Sequence, residues 1–166
     1  MDTSIYSDRI LDLAGRQGGG EGVGRSGRFY EPQILAALAE AQLGLGDASR
    51  AREVSEQAIE AASQTQIRVA EVRAQLARVR VLLVLDGVER QAKIESTLDR
   101  ALAIVRSTGA RAFEPQVHVE RARLAGLLSD APSRERWLRE AHRLFPEMGA
   151  TGHTERVARE LAELGR

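Results

Sequence analysis

The chain has 166 residues, which is enough for one domain with a continuous core. It carries 24 basic and 24 acidic side chains, and the two signs interleave, so the basic stripe of a nucleic-acid-binding protein is missing. Because the sequence contains no cysteine, disulfides, thiolate metal sites and cysteine catalysis are excluded.

The sequence also lacks the features of a membrane or secreted protein. The longest apolar run, from Val81 to Leu85, falls far short of the roughly 20 residues that a membrane span needs. The first residues have neither the basic nor the apolar region of a secretory signal. We therefore expect a soluble, cytoplasmic protein without membrane contact.

The N-terminal region contains a short amphipathic segment followed by glycines. Residues 5–14 place Ile10, Leu11 and Ala14 on one side of a predicted helix that stops at Gly15. We predict that residues 1–16 are a partial N-terminal repeat; an alternative is that this end of the chain pairs with a second copy in a homodimer. Residues 17–29 are predicted to be a glycine-rich linker or loop.

A glycine motif within this linker resembles a dinucleotide fingerprint. The run Gly22–Gly27 matches G-x-G-x-x-G. That motif binds a pyrophosphate only when a strand precedes it and a helix opens at its end. No strand is predicted before Gly22, so we expect no nucleotide or other cofactor there.

From residue 30 onward the chain is predicted to form one helical domain, 30–166. Ala, Leu, Arg and Glu dominate, and apolar residues recur every three or four positions. The third predicted helix is apolar on two sides and should be sandwiched between neighbours, whereas the last has one polar face and should cap the stack. The predicted helices span residues 31–45, 48–62, 67–85, 91–107, 114–128, 133–148 and 153–164.

An internal repeat relates the two ends of this domain. Tyr30-Glu31-Pro32-Gln33 returns 83 residues later as Phe113-Glu114-Pro115-Gln116. The same offset aligns Ala39 with Ala122, Asp47 with Asp130 and Ala58 with Ala141. A further unit fits between them, which gives three helical hairpins at a spacing of about 40 residues.

Small residues at fixed places in these hairpins resemble the tetratricopeptide repeat. The matching positions are Leu35, Leu38, Ala39, Gly46, Asp47, Ala51 and Ala58 in the first unit and Ala122, Ala141 and Pro146 in the third. Arg134 departs from the pattern, because the family has a small packing residue there. The resemblance implies an all-α, right-handed α-solenoid of about three antiparallel helix pairs with a C-terminal capping helix.

A narrower resemblance covers residues 27–164 and is most specific over 109–161. Its segments, including 109–116, 138–145 and 148–153, are similar to the C-terminal repeat region of bacterial signalling proteins that join a class III nucleotide cyclase and a STAND-type ATPase domain to a repeat tail. The resemblance implies a regulatory tail that binds a protein or peptide, such as another domain of a larger parent protein. Neither catalytic domain fits within 166 residues, so we expect neither cyclase nor ATPase activity. We expect no other enzymatic activity either, because no nucleophile with a base and an orienting partner is legible in the sequence.

The resemblance also implies a concave groove lined by first-helix positions. The predicted lining carries both charges, which favours a partner held by mixed polar and apolar contacts. The predicted binding residues are Gln33, Glu40, Glu71, Arg78, Gln116 and Arg123, with Ala36, Leu43, Ala74, Val119 and Gly126 between them.

Two further interpretations remain open. The alternative function is a small-molecule effector sensor that holds its ligand in the concave groove. A buried apolar pocket with few polar groups would favour the sensor, whereas an open charged groove would favour the peptide binder. Trp137 and Phe145 belong either to the core or to an exposed anchor for a partner. His118, His142 and His153 are too widely spaced to predict a metal site or a catalytic histidine.

Overall fold

The computed structural model describes residues 23–65 and 67–165, with side chains from residue 30 onward. The described part is helical without a β-strand, which confirms the predicted all-α class. The predicted helix at 5–14 and the glycines up to residue 22 lie outside the described residues. The seven α-helices are α1 (Val23–Gly44), α2 (Ala48–Gln64), α3 (Arg68–Leu85), α4 (Gln91–Thr108), α5 (Glu114–Leu127), α6 (Ala131–Leu144) and α7 (Thr151–Leu164).

The helix α1 starts earlier than the sequence pattern predicts. It begins at Val23, so residues 23–29 of the predicted linker are helical and Pro32 lies inside the helix. Only Gly24 and Gly27 interrupt this stretch, and each costs about 1 kcal/mol relative to alanine, which weakens a helix without forbidding it. The predicted start at Glu31, with Pro32 in the first turn, is therefore wrong.

The helices α2 to α7 begin and end within two residues of the predicted bounds, except at the end of α6. This helix ends at Leu144, and the predicted last turn is a separate 3₁₀ turn, Pro146–Met148. Proline has no N–H to donate to the carbonyl four residues earlier, so the α-helical pattern stops before it. No described helix has the length and apolar content that crossing a bilayer would require.

Two hairpin turns, 83 residues apart, share their hydrogen bonds. The backbone N–H of Asp47 donates to the carbonyl of Gln42 at 3.0 Å, and that of Asp130 donates to Ala125 at 2.9 Å. Each aspartate then caps the next helix: Asp47 Oδ1 accepts from the Arg50 N–H at 2.9 Å, and Asp130 Oδ1 from the Ser133 N–H at 3.0 Å. The sequence repeat is thus a repeat of backbone structure at these turns.

The left-handed residue of each turn differs in type. Gly46 has φ of 81°, and its equivalent Ser129 has φ of 58°. Ser129 is the one non-glycine residue with positive φ in the described part of the chain. A side chain in this conformation costs roughly 1–2 kcal/mol, so the α5–α6 turn is strained where the α1–α2 turn is not.

Arg134 departs from the repeat pattern, and Gly126, which lies opposite it in the same hairpin, differs from its repeat equivalent as well. A Cβ added to Gly126 would lie 3.4 Å from Arg134 Cδ, so the arginine side chain runs over the bare glycine backbone. In the first hairpin the equivalent positions hold Leu43 and the fully buried Ala51. The large residue has moved from the first helix of the hairpin to the second, and the glycine makes room for it.

The chain divides into two compact units between Arg78 and Val79, within α3. In the N-terminal unit α1, α2 and the first half of α3 share one apolar cluster. Two of its alanines, the repeat positions Ala39 and Ala58, are fully buried, as expected for residues that let helices approach closely. The cluster consists of Leu35, Ala36, Ala39, Val54, Ala58, Ala62, Ala74 and Ala77.

The C-terminal unit has its own cluster, on which α7 packs. Ala122 and Ala141, the repeat equivalents of Ala39 and Ala58, are again buried. From α7, Val157 is fully buried, while Leu161 and Leu164 are half-buried against the cluster. The cluster consists of Val119, Ala122, Leu138, Ala141, Phe145 and Val157.

Candidate functional site

A cleft of about 270 Å³ lies within the C-terminal unit, between α4, α5 and α6. Its lining combines apolar side chains with charges of both signs. The residues are Glu95 and Asp99 from α4, Arg121, Leu124 and Ala125 from α5, Leu128 and Asp130 from the following turn, and Ser133, Arg136 and Trp137 from α6. The cleft is polar at its rim, since Asp99 exposes 70 % of its side chain.

Trp137 provides the aromatic surface of this cleft. Its indole stacks on the His118 ring, with centroids 5.3 Å apart and planes 7° from parallel. The guanidinium groups of Arg121 and Arg136 lie 4.8 and 4.5 Å from the centroid of the indole. Cation–π contacts and stacking together restrict the ring to one orientation. Trp137 is half-buried and Phe145 is buried, so only the tryptophan can serve as an exposed anchor surface.

The acidic rim is already engaged in intramolecular contacts. Asp99 Oδ1 accepts a hydrogen bond from Arg121 Nη2, and Glu95 Oε1 accepts one from Gln91 Nε2 at 3.0 Å. Hydrogen bonds from Ser133 hold the pKa of the Asp130 carboxyl below its ordinary value. The Asp130 carboxylate is therefore ionised near neutral pH, and it suits binding better than proton transfer.

The cleft is small for a metabolite site. Pockets for small molecules and cofactors typically measure about 300–1,000 Å³ and enclose most of their ligand. The cleft falls below that range, and its rim is exposed. Its volume and open rim fit a side chain projecting from a larger partner better than a separate, enclosed molecule.

The histidines lie in separate surroundings. His118 is buried, and burial is the main cause that lowers its pKa below the ordinary value. His153 stacks on Phe145 with ring centroids 5.0 Å apart. Among the residues that the structure describes, no three histidine, aspartate or glutamate side chains come close enough to hold a metal ion.

The predicted groove residues of the N-terminal unit have varied surroundings. Glu40 is exposed and Gln33 is half-buried. Glu71 Oε2 lies 4.0 Å from Arg68 Nε on the same helix. Arg78 Nη1 lies 2.8 Å from Glu56 Oε1 of α2, so this arginine reaches a second helix.

The predicted groove residues of the C-terminal unit are Gln116 and Arg123. Gln116 is half-buried, and Arg123 Nη1 donates to Glu120 Oε2 at 3.0 Å while exposing 46 % of its side chain. Neither residue lines the Trp137 cleft. Whether the six predicted residues form one groove remains a prediction, because they are divided between the two units.

Three positions between the predicted binding residues are core residues instead. Ala36, Ala74 and Val119 are buried members of the two apolar clusters. The prediction that they line a groove is therefore wrong, since their side chains pack against neighbouring helices. In the first and third units the error has a common cause, because Ala36 and Val119 are repeat equivalents.

The cleft itself was only partly predictable. Trp137 stood out as core or anchor, but Glu95, Asp99, Arg121 and Arg136 look like ordinary solvated helix positions in the sequence. Comparison with protein-family models and with curated proteins finds no match to this sequence. The function of the cleft is therefore inferred from its geometry and chemistry.

Proposed function

We propose that this chain is a non-catalytic protein-interaction module and that the Trp137 cleft takes one anchoring side chain of a protein or peptide partner. The proposal rests on one observation: His118, Arg121 and Arg136 fix the Trp137 indole in place at an open, charged cleft. A rigid aromatic surface loses little conformational entropy on binding, and such residues dominate the energy of protein interfaces.

The mixed rim supports a partner that brings both apolar and polar groups. Leu124, Ala125 and Leu128 supply apolar contact next to the indole, while Arg136 offers a guanidinium for a carboxylate or carbonyl of the partner. Charged groups at the rim of an interface discriminate among partners more than they raise affinity. The acidic side chains of this rim should therefore contribute to the selectivity of binding and little to its affinity.

We extend the proposal to the architecture and the cellular role. The repeated turns and the buried alanine pairs support a tetratricopeptide-like, right-handed solenoid. Stacked helix pairs of this kind suit the regulatory repeat region of a bacterial signalling protein in the cytoplasm. A sensor of small effectors is the alternative, and the size of the cleft speaks against it.

A displayed peptide library tests the proposal. The full-length chain is the target, and the Arg136→Glu variant is the counter-target, since Arg136 is exposed and its replacement should leave the fold intact. We expect peptides that share one anchor residue and bind the wild type at least about tenfold more tightly, a difference of about 1.4 kcal/mol. The proposal fails if the enriched peptides bind both proteins equally, or if none is enriched while a small metabolite raises the melting temperature of the wild type.

A further inference from the structure

The helix α1 carries a bare apolar stripe on its outside. Tyr30 is 65 % exposed, Ile34 43 % and Leu45, just after the helix, 59 %. The exposed Ala37 and Ala41 lie between them at spacings of three or four residues, so all five share one face. We call Tyr30, Ile34, Ala37, Ala41 and Leu45 the outer stripe; it contains no charged residue.

The opposite face of α1 is already used by the core of the N-terminal unit. Leu35, Ala36 and Ala39 are buried there against α2 and α3. A helix that is apolar on two opposite faces normally packs on both of them. The outer stripe is therefore a packing face without a described neighbour, and not the solvated side of an amphipathic helix.

The internal repeat shows what such a face packs against. The outer stripe corresponds, 83 residues on, to a face of α5 that is largely buried: Val117 is fully buried and Leu124 nearly so. In the C-terminal unit a neighbouring helix contacts this face, because Arg80 Nε of α3 donates at 2.7 Å to Oε1 of Glu120, the repeat equivalent of Ala37. The outer stripe should accept a helix as well.

We propose that the outer stripe binds the outer stripe of a second copy, in a two-fold symmetric antiparallel pair of α1 helices. The side-chain sizes are complementary in this register. Tyr30 would face Leu45 of the second copy, and Ile34 would face its Ala41, so that large residues meet small ones near the centre. One two-fold contact would cover both stripes, which is the commonest symmetry of homodimers.

Length favours a second copy over the N-terminal segment. The outer stripe runs from residue 30 to residue 45, about 22 Å at 1.5 Å per residue. The amphipathic pattern at 5–14 covers ten residues, about 15 Å of helix, and would leave part of the stripe bare. The described α1 itself is long enough and has a matching surface. The outer stripe shares no residue with the Trp137 cleft, so the dimer and the function of the cleft can be tested separately.

The lack of cysteine permits a clean crosslinking test. In the full-length chain, Ala37→Cys places one thiol per copy near the proposed two-fold axis, and Glu60→Cys, on the exposed part of α2, is the matched control. We expect a short bismaleimide to convert most of the Ala37→Cys protein to covalent dimer and little of the control. Ile34→Glu should abolish dimerisation in sedimentation equilibrium while leaving the helical circular dichroism unchanged.

Three results would overturn this proposal. One is a monomer at concentrations up to roughly 1 mM, where even a weak pair would be populated. Another is a dimer that survives Ile34→Glu. The third is an intramolecular crosslink in an Ile10→Cys/Ile34→Cys variant without any dimer, which would assign the outer stripe to the N-terminal segment.

Discussion

Ser129 carries backbone strain that glycine relieves at the equivalent place in the first hairpin. Its φ of 58° lies in the left-handed region, where Gly46 has φ of 81°. We predict that Ser129→Gly raises the free energy of unfolding by about 0.5–1 kcal/mol, because the relief of strain exceeds the added entropy of a glycine in the unfolded chain. Gly46→Ser should lower it by about 1 kcal/mol. Urea denaturation measures both, and a destabilised Ser129→Gly variant would show that the turn is unstrained.

His118 should make stability depend on pH. Burial lowers its pKa below the ordinary 6.5 and outweighs the opposing attraction of Glu114 and Glu140; Arg121 and Arg106 lower the pKa further. Below about pH 6.5 the unfolded chain therefore binds a proton that the folded chain resists, and stability is lost as the pH falls.

The matched variant is His118→Leu, because Leu35 holds the equivalent position in the first hairpin. We predict that the wild type loses more unfolding free energy than this variant between pH 7.5 and pH 5.5, as measured by urea denaturation at each pH. Equal losses in the two proteins would mean that His118 has the same pKa in the folded and unfolded states.

Some backbone conformations of single residues are predictable from the residue type, and others are not. The glycines at positions 46, 87, 109 and 149 adopt positive φ at turns that their residue type predicts. Ser129 does so as well, but serine does not require that conformation, so no local signal marks it. Asp130 could be aligned with Asp47 from the repeat, and its capping hydrogen bond follows from the same alignment.

Between helices, Glu120 of α5 is the most strongly buried acidic or basic side chain among the residues that the structure describes. It is 1 % exposed, and Arg80 Nε of α3 donates to its Oε1 at 2.7 Å. We predict that Arg80→Met costs roughly 3 kcal/mol, because Arg123 alone then compensates a carboxylate out of water. Combining Arg80→Met with Glu120→Leu should restore most of the loss, since apolar replacements of a buried pair are often neutral.

An exposed ion pair provides the control for this experiment. Arg139 exposes 70 % of its side chain and Glu135 exposes 47 %, so Glu135→Ala should change the unfolding free energy by less than about 1 kcal/mol. Thermal and urea denaturation compare the variants. If the double variant is no more stable than Arg80→Met alone, the pair is not the source of the cost.

Helix boundaries were predictable where apolar periodicity and glycine turns agreed, as in α2 to α5. They failed at α1, because a glycine-containing stretch can still continue a helix whose far end is anchored by packing. The exchange of sizes between Gly126 and Arg134 could not be foreseen, since it depends on which side chains meet across a hairpin. Contacts across a hairpin decide packing but leave no periodic signal.

At the scale of the molecule, the proposed function depends on residues from three helices that meet at the Trp137 cleft. Because these residues are far apart in the sequence, only Trp137 could be recognised as a candidate binding residue from the sequence alone. The six residues predicted from the repeat resemblance still define a testable groove, and none of them lines the cleft. A partner that uses the cleft should be insensitive to Arg78→Ala, whose side chain pairs with Glu56 in the N-terminal unit.

The most direct measurement uses Trp137 as its own reporter, because it is the single tryptophan of the chain. A peptide enriched by selection is titrated into the full-length protein while the indole emission is recorded. We predict a saturable change whose Kd agrees with calorimetry, weakened about tenfold by Arg136→Ala and unaffected by Arg139→Ala, an exposed arginine of the same helix. Peptide binding that is detected by calorimetry, leaves the tryptophan emission unchanged and is equally strong in both arginine variants would contradict the assignment of the cleft as the binding site.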